Sequence, residues 1–215
     1  MPKRIVALSI LLLVATSVLA EKVITLPTPK GNGKMSVEES ILRRRSVREF
    51  HQYDLSNEQL SQLLWVAQGI SDAAFKFRTA PSAGALYPLT IYIARKDGIY
   101  RYVPVEHKLV QVSSEDKRPS LVRGALAQTF LKEAPVVMII AANFKVTYEK
   151  YGPRAFRYVF TEIGHVAENV HLQAVALNLG SVPVGAFWDD VIKSALGLPE
   201  EQDPLYLIPI GYPRT

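Results

Sequence analysis

The chain has 215 residues, no cysteine and a formal charge of +5. The missing cysteines exclude disulfides, thiolate catalysis, cysteine-ligated metals and lipid attachment at a cysteine. So small a charge is no nucleic-acid footprint, and its densest cluster, Arg43, Arg44, Arg45 and Arg48, suits a small anionic ligand better than a polyanion.

The first twenty residues, MPKRIVALSILLLVATSVLA, have a basic start at Lys3 and Arg4, an apolar run from Ile5 to Val14, and small or apolar residues up to Ala20. This is the pattern of a secretory signal peptide cleaved after Val18-Leu19-Ala20, and it predicts an exported protein, periplasmic or extracellular. The alternative is an uncleaved membrane anchor, although a spanning helix needs about 20 apolar residues and Glu21 and Lys22 arrive early. Cleavage leaves 195 residues at +3, enough for one domain with a real core. Residues 21–34, with Pro27, Pro29, Gly31 and Gly33, form an extended leader, and the domain is expected over 35–215.

Ser36-x-x-Glu39 makes a capping box for a short helix that ends in the arginine cluster. Ser56-x-x-Gln59 repeats the device for a second helix, with Leu60, Leu63, Leu64 and Ala67 on its buried face. A loop punctuated by glycine and proline, TAPSAGALYP, follows from Thr79 to Pro88. Leu89 to Ala94 alternates as a strand, Asp97-Gly98 is a hairpin turn, and Ile99 to Val103 is the return strand. Ser120 to Leu131 is expected to be helical, and the continuous apolar run Pro135 to Ala142 is a buried strand.

The stretch from Pro153 to Gly180 is predicted as one long helix, with proline at the start and glycine as a left-handed exit. Phe156, Val159, Phe160, Ile163, Val166, Ala167, Val170, Ala174 and Leu177 give it a continuous apolar face. A second stripe, Ala155, Tyr158, Glu162, His165, Asn169, Leu172, Ala176 and Leu179, is polar only in its middle, so the helix should pack on two sides, one of them a candidate subunit interface. An extended piece at Val182 to Phe187, a helix from Asp189 to Leu196 and a strand from Leu205 to Ile210 complete the order. The fold class is α+β, a central antiparallel or mixed sheet packed against the long helix.

Arg44, Arg45, Ser46 and Arg48 suit a phosphate, because guanidinium forks bind its oxygens in pairs and a hydroxyl adds a donor. The competing reading is a solvated cationic helix end, which the macrodipole also favours. Glu162-x-x-His165 has the helical spacing of a di-iron ligand pair, but no second such motif exists, and the two are expected to satisfy each other as interior polar groups. No G-x-S-x-G elbow supports a serine hydrolase.

RRRSVREF, PSAGALYP, KYGPRAFRY, the long helix, VPVGAFWDD and the closing IPIGYPR, in this order and spacing, resemble the nitroreductase-like FMN flavoenzymes, most closely the SagB-type branch that includes azoline dehydrogenases. The resemblance spans Ser36 to Pro213 and implies a homodimer with FMN at the subunit interface. It places Arg44 and Ser46 on the FMN phosphate and ribityl chain and Arg48 by the pyrimidine edge, where a cation stabilises the reduced flavin. Pro81, Ser82, Ala83 and Gly84 would cover the flavin from the partner subunit, and Val184 and Gly185 would present backbone N–H to flavin N5. Arg214 would be a second phosphate contact.

Lys150 and Tyr151 match the pair that supplies the base in azoline dehydrogenases; a lysine serves so only if burial or a nearby cation lowers its pKa. The resemblance thus implies hydride transfer at N5 on a small organic substrate, and the lack of the Asn and the Gln-Pro-Trp that classical nitroreductases tend to carry in the PSAGALYP region favours the SagB-type branch. The alternatives are an NAD(P)H-dependent nitro or quinone reductase with Lys150 and Tyr151 structural, and a non-enzymatic ligand-binding protein on the same fold. Export would make oxygen, a quinone or another redox protein the electron partner.

Overall fold

The run Val136–Ala142 is buried at every position, and a strand apolar on both faces belongs mid-sheet with a layer on each side. The computed structural model, which describes residues 22–214, puts it there. Strands β1 (Val23–Thr25), β2 (Phe50–His51), β3 (Leu89–Arg95), β4 (Gly98–Val103), β5 (Lys108–Ser113), β6 (Val136–Ala142), β7 (Gly180–Ser181) and β8 (Asp203–Pro213) form one sheet. Its order is β1-β5-β4-β3-β6-β8-β2, with β7 also on β8, and every strand pair is antiparallel.

The helices are α1 (Val37–Arg43), α2 (Asn57–Gln68), α3 (Arg118–Gly124), α4 (Phe130–Glu133), α5 (Phe144–Tyr151), α6 (Ala155–Ala176) and α7 (Asp189–Leu196). Val136, Met138 and Ile140 of β6 pack on one face with Leu63 and Leu64 of α2 and Val166 and Val170 of α6. The alternate residues Val137 and Ile139 pack on the other with Leu121 of α3, Leu131 of α4 and Ile192 of α7. The expected α+β architecture is therefore present, with the long helix against the sheet. Among the described residues, no helix is long and apolar enough to cross a membrane; the signal peptide expected over residues 1–20 lies outside them.

Helix α6 has 22 residues and so runs about 33 Å. Its buried residues, from Ala155 through Val166 to Ala174, fill about half its circumference at 100° per residue, with Glu162 at one edge and His171 at the other. Phe156 and Phe160, expected on the buried stripe, are exposed and pack on Phe144 of α5, with ring centroids 5.1 and 5.7 Å away. The second stripe closes on this chain's own core only in part, at Ala155, Glu162 and Leu179. Asn169, Leu172 and Ala176 border an open groove of about 900 Å³ shared with α2 and the segment Thr28 to Val37.

Several boundaries differ from expectation for physical reasons. Pro153 lies in a 3₁₀ turn, Gly152–Arg154, that precedes α6. The helix exit is Asn178 (φ 59°), not Gly180, and Leu179 N–H donates to Ala174 O at 2.8 Å as a Schellman end requires. Gly180 is already β7, paired with Gly211. The helix expected over Ser120 to Leu131 is two pieces, because Leu126 and Ala127 turn left-handed (φ 54° and 60°) where Gly124 meets Ile192 of α7. The leader is extended, yet it belongs to the domain: Val23 to Thr25 pair with β5, and Lys30 N–H donates to Gln62 Oε1 at 2.9 Å.

Gly180 also fixes where the arginine segment lies. Val47 N–H donates to Ser181 O at 3.0 Å, and a Cβ on Gly180 would stand 2.7 to 2.8 Å from three carbons of the Val47 side chain. A β-branched side chain has little freedom to yield. Gly180→Ala should therefore cost about 1–3 kcal/mol of stability in denaturant unfolding. Gly164→Ala, at an exposed helix position where a Cβ meets nothing, should be neutral or stabilising by up to about 1 kcal/mol.

Candidate functional site

After α1 the backbone opens at Arg44 (φ −52°, ψ 125°) and runs extended beside β7, with Ser46 bridging Ser181. Side chains two residues apart on extended backbone share a face, so Arg44, Ser46 and Arg48 are presented together. Arg45, on the other face, folds back to the carbonyls of Leu42 and Arg44 at 3.1 and 2.6 Å. Ser46 and Arg48 are exposed, and neither side chain makes a hydrogen bond or ion pair among the described residues.

Arg44 is half-buried, and its Nη1 lies 3.0 Å from His171 Nε2. Nδ1 of the same ring lies 2.6 Å from Ser181 Oγ. Burial, seconded by the Arg44 charge, pushes the His171 pKa down to about 4. Arg44 also approaches the exposed carboxylate of Glu168, but only to 3.8 Å. Arg214 reaches the same segment from β8, its backbone N–H donating to Glu49 O at 2.9 Å. Its guanidinium is engaged with Phe50 O at 2.9 Å and Glu133 Oε2 at 3.0 Å. Arg214 thus lies against the end of the arginine segment, but its guanidinium is committed elsewhere.

The second group of residues gathers at the opposite edge of α6. Ser82 donates to Glu162 Oε2 at 2.5 Å and accepts from Tyr87 N–H at 2.9 Å. Between these contacts the loop turns left-handed at Gly84, Ala85 and Tyr87, with φ of 63°, 55° and 52°. The two non-glycine positions store backbone strain that the Ser82 bonds hold in place. A Cβ on Gly84 would stand 2.7 Å from the Tyr151 hydroxyl and 2.8 Å from Lys150 Nζ, so the loop and the Lys-Tyr pair lie against each other and no side chain fits between them. Tyr151 is braced edge-on by Tyr158, centroids 5.0 Å apart. Lys150 is exposed in the single chain, so this chain alone does not supply the burial that a catalytic lysine requires.

Glu162 is 2% exposed, and desolvation raises its pKa to about 7 against the opposing pull of the Ser82 bond, Gln68 and Arg78. Gln68 and Glu162 face each other without a formed hydrogen bond, since Gln68 Nε2 and Glu162 Oε1 both lack partners. Gln68 Oε1 instead accepts from Arg78 at 2.6 Å, and Arg78 stacks over the Tyr87 ring at 4.7 Å. The expected Glu162–His165 pairing does not occur. His165 is exposed, and Glu162 turns inward to Ser82.

Val184 exchanges both backbone bonds with Leu207, at 2.8 and 3.0 Å, so its N–H is already used. Gly185 is the exposed position next to it, and a Cβ there would stand 3.3 Å from the Tyr206 ring. The arginine segment and the Ser82 loop meet in no hydrogen bond. Glu162 and His171, which anchor them, are nine positions apart on α6, about 14 Å along its axis and half a turn around it. His171, Ser181, Arg78 and Gln68 had no signal in the sequence, because each acquires its role from a partner distant in the chain.

Residues 41–212 match the model of the nitroreductase family. The chain belongs to the nitroreductase family. It is 44% identical over 184 residues to a nitroreductase-like protein of Methanocaldococcus jannaschii, covering 83% of this chain and 91% of that one. A nitroreductase-like crystal structure from Ralstonia eutropha superposes with a TM-score of 0.83 at 31% identity, covering 90% of each chain. A chain of the E. coli microcin synthetase complex shares the fold at a TM-score of 0.72 and 21% identity, covering 99% of this chain and 85% of that one. The chain is an oxidoreductase of a family that generally uses flavin. The donor set fits such a group: exposed Arg48 and Ser46 are uncommitted on one face with Arg44.

The raised Glu162 pKa makes a stability prediction. A carboxyl near 4.5 in the unfolded chain and about 7 in the fold binds its proton more tightly when folded. Its stabilising contribution is full below the unfolded value and is lost as pH rises through the folded one. Relative to Glu162→Gln, the unsubstituted chain should lose on the order of 2–3 kcal/mol between about pH 5 and 8 in denaturant melts. Parallel pH profiles for the two would contradict this.

Proposed function

We propose that two copies of this chain bind FMN between them and that the enzyme is a SagB-type dehydrogenase, oxidising a small organic substrate by two electrons. The observation that carries the reading is the contact of Gly84 with Lys150 and Tyr151, which joins the flavin-covering loop to the acid–base pair implied by the resemblance. A composite site is supported by the half-turn around α6 that separates the two anchors, and by the second stripe of α6, left open beside the groove.

In this reading Arg44, Ser46 and Arg48 hold the phosphate and the ring's pyrimidine edge, and Gly185 offers a backbone N–H near N5. Val184 and Pro81 shape the adjacent walls, and Ser82 and Ala83 bring backbone close to the ring. Bound FMN supplies an acceptor for the hydride leaving the substrate carbon. Lys150, aided by the Tyr151 hydroxyl, takes the proton lost from the neighbouring atom, so two hydrogens leave as hydride and proton. The N-terminal segment supports export, with oxygen, a quinone or a redox protein as the final electron acceptor.

A second reading, an NAD(P)H-dependent nitro or quinone reductase, is favoured by the exposure of Lys150 in the single chain. The two separate on one variant. With a thiazoline-carboxylate probe and oxygen as acceptor, Lys150→Ala should lower turnover by about 10²–10⁴-fold. NADPH-driven reduction of menadione that is fast and indifferent to Lys150→Ala would favour the second reading. The purified protein should carry FMN by its visible spectrum, and Arg44→Ala with Arg48→Ala should weaken FMN binding by about 100-fold or more, as two charge-assisted bonds of about 1.5–3 kcal/mol each are lost.

A further inference from the structure

Arg44 is the one arginine of its segment whose fork is turned toward the core, and what it meets there is an imidazole, not a carboxylate. A guanidinium has only donors. The His171 Nε2 that faces it at 3.0 Å must therefore be unprotonated and accept. The proton of the neutral ring then sits on Nδ1 and is donated to Ser181 Oγ at 2.6 Å. The other tautomer and the imidazolium would each set N–H against N–H. His171 and Ser181 are 2% and 1% exposed, so water cannot substitute for either contact.

Ser181 has a second role in the same place. Its carbonyl accepts from Val47 N–H at 3.0 Å, and it bridges Ser46. One residue thus fixes the backbone that carries Ser46 and, through the ring, the side chain of Arg44. Among the described residues the one other partner of the Arg44 side chain, Glu168 at 3.8 Å, is exposed and would draw the guanidinium away from any anion.

We infer that His171 is the positioning residue of the anion site, a neutral Nδ1–H imidazole clamped between Ser181 and Arg44 that holds the guanidinium on the face shared with Ser46 and Arg48. The inference rests on the reading of that face as the FMN phosphate site. The proton placement follows from donor and acceptor chemistry alone, and the depressed His171 pKa agrees with it.

The test is FMN titration of the full chain by flavin fluorescence, together with ¹⁵N chemical shifts of His171 in the cofactor-free protein at neutral pH. His171→Leu should raise the FMN dissociation constant about tenfold. His171→Gln, which can accept from Arg44 through its oxygen and donate to Ser181 through its nitrogen, should recover binding to within about threefold of the original. In an Arg44→Ala background His171→Leu should add nothing, and the ¹⁵N shifts should report a neutral ring protonated at Nδ1. Unchanged affinity in His171→Leu, in a protein that binds FMN, overturns the role of His171 and leaves the cofactor reading intact. A ring protonated at Nε2 or at both nitrogens also overturns it. Failure of the unsubstituted chain to bind FMN overturns both.

Discussion

The burial of α6 against one face of the antiparallel sheet is the constraint on which the site depends. The buried apolar residues of this helix fill about a third of its circumference and fix its rotation, because turning it would expose Val166 or Val170 and bury charged positions such as Glu168. Each core aliphatic contributes about 1.5–3 kcal/mol by its burial. With the rotation set, the two buried polar residues at the edges of the arc have no freedom of direction. Glu162 faces the Ser82 loop and His171 faces the arginine segment. Hydrophobic packing thereby places two polar groups that lie far apart in the sequence.

Both groups are held out of water, and burial shifts them in opposite senses. It raises the Glu162 carboxyl and lowers the His171 imidazole, in each case favouring the neutral form. Near neutral pH the histidine is fully neutral, whereas the carboxyl stands close to its midpoint. His171 is therefore a fixed hydrogen-bonding strut. Glu162 combines anchorage of a strained loop with a proton affinity that sits at working pH, beside the loop that touches Lys150 and Tyr151. That placement sets the Ser82 loop, the Lys150–Tyr151 pair and the arginine segment around a single helix.

Much of this frame was legible in the sequence, and the parts that were not share a cause. β6 and α6 announce themselves because a doubly buried strand has no polar positions and a core helix keeps its period. α5 is only eight residues long and is capped by Asn143, a role visible mainly once Lys145 N–H is seen to donate to it at 3.1 Å. β5 follows polar turn residues and pairs with a β1 segment that composition marks as leader. In the site, the alternation of Arg44, Ser46 and Arg48 is local and readable. The clamp on Arg44 is not, because His171 lies 127 positions away. Phe156 and Phe160 fit the helical stripe yet pack outward on Phe144, a contact that periodicity cannot foresee.

In the proposed dimer, one cofactor site is built from the arginine segment of one copy and the Ser82–Gly84 loop of the other. The most direct measurement is FMN stoichiometry in a differentially tagged mixed dimer, one copy carrying Arg44→Ala and Arg48→Ala and the other Gly84→Val. In a composite site, the intact arginine segment of the second copy meets the intact loop of the first, so the mixed dimer should hold one FMN while each parent dimer holds none. If the site lies within a single chain, both copies of the mixed dimer are damaged, and a dimer holding no FMN would contradict the claim.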